Sequence, residues 1–354
     1  MGAVIGRCAL VLGCSLLLAS CGPPDRQSPD ALVGHWLGNV SYRDATARLE
    51  FDVEQQGDSL VARFTSDELL IHDLPIGRFS YARPRVHFAL SGPMGPLEFE
   101  GWLRRNLIVG QFHSRGFPNT ERAALLPQLS LRHTYPSQFP YRVDTVMFAG
   151  SGDPRTGRLY TPRAQGPYPA VVIQPRFTAD KAAIFQGYAD RFARAGFQAL
   201  VIGSGADPVA QASAAIRFLR AGANVDRARV GLVCFSPRAE LLASVAAPDP
   251  PTFVVGVSPD LPDSALRGHA PHRSTVPLLL VFGARDALLD SPLAAHQGRE
   301  VFHAWSNPDA AVRVFSRADH RIRLAPVGDE PFDWPRPAPG LVDTLVSWMR
   351  QRVR

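Results

Sequence analysis

Residues 229–242, "RVGLVCFSPRAELL", are an apolar, β-branched run, then one serine, then a segment of helical character. A run of this length without polar alternation predicts a strand buried on both faces. Ser236 thus stands at a strand-to-helix junction, and two readings of it are open. Serine is a preferred helix N-cap and proline is favoured at the first helical position, so Ser236-Pro237 looks like a plain helix start. A junction of this kind is also where a nucleophilic serine can be lifted out of a sheet to attack an acyl carbon.

The same alternation continues on both sides. "AVVIQP" (170–175) reads as a buried strand, followed by a helix with Ile184, Phe185, Tyr188 and Phe192 on one face that stops at Gly196. "FQALVIG" (197–203) is the next strand, and Val209, Ala212, Ile216 and Leu219 mark a helix ending before Gly222. "TFVVGVS" (252–258), "PLLLVFG" (277–283) and "AVRVFS" (311–316) are further strands, and a last helix carries Leu341, Val342, Leu345, Val346 and Met349. The pattern predicts an α/β domain with a doubly wound, mostly parallel sheet. Ligands in such sheets bind beyond the carboxyl ends of the strands. Those positions hold Gln174, Pro175 and Arg176; Gly203 and Ser204; Ser236; Asp286; and His320. Serine, acid and histidine therefore come from three separate strand ends, in that chain order.

Upstream, residues 32–131 alternate with the period of strands, as in "ARLEFDVEQQGDSLVARF" (47–64) and "LEFEGWLRRNLIVGQF" (97–112). Short runs separated by Gly-Asp and Arg-Arg-Asn turns predict a small all-β barrel or sandwich. Before it, "MGAVIGRCALVLGCSLLLASC" (1–21) has one early charge, an apolar run and small residues leading into Cys21. That is an export signal rather than a membrane-spanning helix, because the run is short and charged on one side only. The expected organisation is a signal at 1–20, a Pro-rich tether at 21–31, the β domain at 32–131 and the α/β domain at 132–354.

The chain has 354 residues, is 45% hydrophobic and has a formal net charge of +6. The basic residues are arginines, Lys181 excepted, and form no dense block, so a nucleic-acid partner is not expected. The 10 histidines are dispersed; only His269 and His272 lie close together, without a cysteine or carboxylate at ligand spacing, so neither metal nor cofactor is expected. Of 4 cysteines, Cys8 and Cys14 would leave with the signal and Cys21 would be acylated, which leaves Cys234 as the one thiol and no intramolecular disulfide.

Two resemblances attach to these residues. Leu18-Ala19-Ser20-Cys21 resembles the bacterial lipoprotein signal, which implies that Cys21 is lipidated and becomes the mature N-terminus. With Gly22 next, the implied location is the outer membrane, facing the periplasm. "DRARVGLVCFS", "LLLVFGARDALL" and "RVFSRADH" resemble the nucleophile, acid and histidine segments of the α/β-hydrolase superfamily, nearest its dienelactone-hydrolase-like and prolyl-oligopeptidase-like branches. The resemblance spans residues 141–354, and some members of those branches carry an upstream β domain. It implies Ser236 as nucleophile, His320 as general base and Asp286 as the residue that orients the imidazole.

The elbow departs from the G-x-S-x-G pattern, with Cys234 and Arg238 where glycines are usual. Pro237 is the larger change. The backbone N–H after the nucleophile is half of the oxyanion hole in this fold, and proline has none. The first-strand loop, "QPRFTADK", leaves Arg176 or Phe177 to supply the other donor. The expectation is a weak hydrolase of small esters or peptides. The alternative is an inactive relative that binds a small anion through Arg176, Lys181 and Arg238, or an envelope scaffold.

Overall fold

The computed structural model describes residues 29–42, 45–90, 97–114, 128–149, 154–175, 185–203, 205–236, 249–260, 275–288, 307–324 and 336–354, with six positions between 292 and 300. Eight antiparallel strands form the first unit: β1 (Gly34–Tyr42), β2 (Ala45–Gln56), β3 (Ser59–Ser66), β4 (Ile71–Ala82), β5 (Arg85–Leu90), β6 (Leu97–Arg104), β7 (Leu107–Ser114) and β8 (Gln128–Thr134). Each pairs with the next, and β8 also pairs with β1, so the sheet closes on itself. The outcome is a barrel, not a sandwich, and closure removes the exposed edges. Trp36, Phe51, Phe64, Phe88 and Phe99 fill its interior, with Phe88 and Phe99 stacked at 4.5 Å between centroids. A short 3-10 turn, Pro29–Leu32, covers one end, where the Trp36 indole donates to the Leu32 carbonyl at 2.8 Å.

The second unit is an eight-stranded mixed sheet of β9 (Tyr141–Phe148), β10 (Arg155–Pro162), β11 (Tyr168–Pro175), β12 (Gln198–Ile202), β13 (Val225–Phe235), β14 (Val254–Val257), β15 (Leu278–Gly283) and β16 (Ala310–Phe315). Their order is β16-β15-β14-β13-β11-β12-β10-β9. The last six in chain order run parallel, and β10 is antiparallel to both its neighbours. Three helices are described: α1 (Gln186–Arg194), α2 (Pro208–Ala221) and α3 (Leu341–Arg352). Alternate residues of the buried strands serve opposite faces. Val171, Val233, Val255 and Leu279 pack towards α1 and α3, while Val172, Leu232, Val254 and Leu280 pack towards α2. The Asp207 carboxylate caps α2 by accepting from the Ala210 N–H, and Pro208 takes the first helical turn.

The β3–β4 turn of the barrel meets α1. A Cβ at Gly187 would lie 2.0 Å from the Leu70 carbonyl oxygen, so only glycine lets the helix approach this closely. Arg158 pairs with Asp73 at 2.8 Å, and Arg191 donates to the Asp67 carbonyl at 3.0 Å. Between them His72 is buried among the rings of Phe139, Tyr141 and Tyr160. Tyr141 donates to the buried carboxylate of Asp190, and His72 Nε2 lies 3.4 Å from the tyrosine oxygen.

Candidate active site

The ladder of β13 continues one residue past the strand: the Ser236 N–H donates to Val257 O at 2.8 Å. The backbone then turns into the left-handed region, φ 47° at Ser236. A non-glycine residue held there costs of order 1–3 kcal/mol and persists only where its surroundings fix it. A sharp left-handed turn ending a buried strand stands the serine above the carboxyl edge of the sheet. Its hydroxyl, half-buried, lies 2.8 Å from His320 Nε2.

Asp286 follows β15 in a turn closed by its own N–H on the Gly283 carbonyl, at 3.3 Å. Its side chain has no solvent exposure. Oδ1 accepts from the Leu288 N–H at 2.8 Å, and Oδ2 lies 2.7 Å from His320 Nδ1. A carboxylate can only accept, so Nδ1 carries the imidazole proton and Nε2 presents its lone pair to the serine O–H. Burial of a charge is tolerated because its oxygens are hydrogen-bonded.

The loop bearing His320 is laced to the acid loop. Ala284 N–H donates to Phe315 O and Arg285 N–H to Ala318 O, both at 2.9 Å. A Cβ at Gly283 would lie 2.1 Å from Asp319 O, so this glycine is what admits the histidine loop against β15. Asp319 shapes that loop: Oδ1 accepts from the N–H groups of Arg321 (2.8 Å) and Arg323 (2.9 Å), and Oδ2 pairs with the Arg323 guanidinium. These bonds leave the acid position next to the imidazole to Asp286.

The structure thus brings together Ser236, Asp286 and His320. Arg176, Phe177, Lys181, Pro237 and Arg238, with His269, His272 and Cys21, lie outside the described residues. Among the described residues no cluster of His, Cys, Asp and Glu has the makings of a metal site. Cys234, two residues before the serine, is fully buried with its thiol directed at Val255 O; burial pushes its pKa well above the ordinary thiol range, and it is no competing nucleophile. One feature escaped the sequence reading. Ser258, at the end of β14, also has φ 47° and is 1% exposed, with its hydroxyl lacking a hydrogen-bond partner among the described residues. The signal was a repetition: "CFSP" and "GVSP" both close an apolar strand with Ser-Pro.

Strand order, the two antiparallel strands at one edge and side chains gathered beyond β13, β15 and β16 define the second unit as an α/β-hydrolase fold. One solved structure supports the fold. A bacterial heroin esterase superposes with a TM-score of 0.50 at 16% identity, covering 62% of this chain and 86% of that one. A dienelactone hydrolase-like promiscuous phosphotriesterase from metagenomic libraries gives 0.47 at 21%, covering 61% and 100%. The dienelactone hydrolase of Anabaena variabilis gives 0.47 at 16%, with the same coverages. At these identities the likeness is one of fold. No protein-family model and no curated protein matches the chain.

Proposed function

We propose that the protein is a serine acyl hydrolase of the cell envelope, acting on small carboxylic esters and anchored by a lipid on Cys21. The observation that carries this reading is the relay from Ser236 Oγ through His320 to Asp286, with hydrogen bonds of 2.8 and 2.7 Å. In the first half-reaction the serine oxygen attacks the acyl carbon while its proton passes to His320 Nε2. The resulting imidazolium is stabilised by Asp286 and gives that proton to the leaving alkoxide as the C–O bond breaks. Water then repeats the sequence on the acyl-serine, losing a proton to Nε2 and releasing the acid with Ser236 restored.

Pro237 sets the rate. Without an N–H after the nucleophile, one oxyanion donor is missing, which typically lowers kcat by about a hundred- to a thousandfold. Activated esters, whose leaving groups ask for less oxyanion stabilisation, should turn over best, and amides hardly at all. The test is hydrolysis of p-nitrophenyl acetate by the wild type and by folded Ser236→Ala and His320→Ala variants. Loss of activity in both supports the reading. Equal rates in all three would leave the binding of a small anion, by Arg176, Lys181 and Arg238, as the function of the same edge.

A further inference from the structure

The two ends of the barrel differ in charge. At the end where β1 begins, the chain passes through the β2–β3 turn (56–59), the β4–β5 turn (82–85), the β6–β7 turn (104–107) and the end of β8 (132–135). These stretches, with the turn Pro29–Leu32 at the same end, hold Arg83, Arg85, Arg104, Arg105 and Arg132 against two carboxylates, Asp30 and Asp58. All five arginines are exposed, and none is ion-paired among the described residues. Because β8 pairs with β7, β7 with β6 and β6 with β5, they form one continuous arc. By sequence, the four connections at the other end hold three arginines against four carboxylates, and that end supplies the β3–β4 turn that meets α1.

The same rim shows apolar and aromatic surface where a water-facing barrel wall has no need of it. Tyr135 is 92% exposed, Trp102 45% and Val33 37%. Trp102 pairs directly with Arg85 across β6 and β5. Cationic and amphipathic aromatic side chains side by side suit a headgroup layer, where one part of each ring is wet and the other is not.

The position of the N-terminus identifies what covers the rim. Pro29 opens the turn that leads into β1 at this end, and Cys21 precedes it by eight residues, at most about 29 Å of extended chain. We propose that the arginine rim seats on the anionic phospholipid headgroups of the leaflet that holds Cys21, so that the barrel stands as a spacer with the hydrolase fold at its far end. The step beyond the proposed function is the docking surface; it borrows only the anchor, which brings the rim to the leaflet. The attraction acts within a Debye length, about 10 Å at 0.1 M salt, so a short tether is what lets it operate.

The test uses residues 22–354, which hold every described residue and carry no lipid, so that binding reports on the rim and not on the anchor. Cosedimentation is measured with vesicles of phosphatidylglycerol and phosphatidylcholine, and of phosphatidylcholine alone, at low and high salt. The protein should bind the anionic vesicles at low salt and leave them at high salt. An arginine brought to an anionic surface is worth about fivefold in partitioning, so Arg104→Glu/Arg105→Glu should weaken binding at least about twenty-five-fold without altering ester hydrolysis or melting temperature. Arg217→Glu/Arg227→Glu, exposed on the second unit, changes net charge equally and should leave binding within about threefold. No binding to anionic vesicles, equal loss in both pairs, or tighter binding to a DNA duplex than to vesicles would overturn the proposal. Retention of residues 22–354 by anionic vesicles, with no lipid found on Cys21 of the protein made in cells, would refute the anchor and leave the rim standing.

Discussion

Ser236 and Ser258 occupy the same backbone region at the ends of adjacent strands, and the cost of that region makes the same stability prediction for both. Ser258→Gly removes a left-handed strain and a buried hydroxyl that has no partner among the described residues, and should stabilise the protein by about 1 kcal/mol in urea unfolding. Ser236→Gly relieves the same strain while removing the hydroxyl that faces His320, so it should gain stability and lose all hydrolysis. Asp286→Asn keeps the shape of the site but no longer holds the proton on Nδ1; kcat should fall about a thousand- to ten-thousandfold with little change in KM. Pro237→Ala should raise turnover on p-nitrophenyl acetate at least about tenfold, a conservative fraction of one oxyanion donor. The three side chains of the relay were legible because their residue types stand just past apolar runs. Ser258 was not, because its peculiarity is a backbone angle, and serine-proline is common wherever chains turn.

At the scale of elements, the junction between barrel and hydrolase fold holds a buried imidazole. His72 faces Tyr141, Tyr160, Phe139, Asp190 at 3.9 Å, and more distantly Asp73, Arg158 and Arg194. Burial holds its pKa below the ordinary 6.5, the carboxylates opposing in part. The unfolded chain therefore takes up a proton near pH 6.5 that the folded chain refuses. Stability from this group is full above that pH and is lost as pH falls from 6.5 towards the folded value. His72→Gln should flatten the fall in melting temperature between pH 7 and 5; an unchanged slope would assign the pH dependence elsewhere. Gly187→Leu should part α1 from the β3–β4 turn and lower stability, with the barrel still closed. The parallel strands were readable because each is a buried apolar run. By contrast β9 buries only its end residues, Tyr141 and Phe148, and β10 is interrupted by Gly157, so neither announced its place in the sheet. Barrel and sandwich could not be told apart, because closure depends on β1 meeting β8 some hundred residues later, a pairing without a local signature.

For the molecule as a whole, the proposed arrangement runs from a lipid at Cys21 through a spacer barrel to a slow esterase. Cys21→Ser should release the protein from membranes of the cells that make it; a variant that still pellets with them would remove the anchor from the account. From composition and period the sequence could mark out a β region and an α/β region, and the resemblance of three segments to the α/β-hydrolase superfamily pointed to the relay. It could not show that the barrel's arginines share one rim, since Arg83 and Arg132 are far apart until the strands pair. The most direct test of the central claim is covalent. A fluorophosphonate probe incubated with the folded protein should add one adduct mass, mapped by peptide mass spectrometry to Ser236, and Ser236→Ala should take none. No adduct on a folded wild-type chain, or an adduct at another residue that persists in Ser236→Ala, would contradict the assignment of Ser236 as a nucleophile activated by His320.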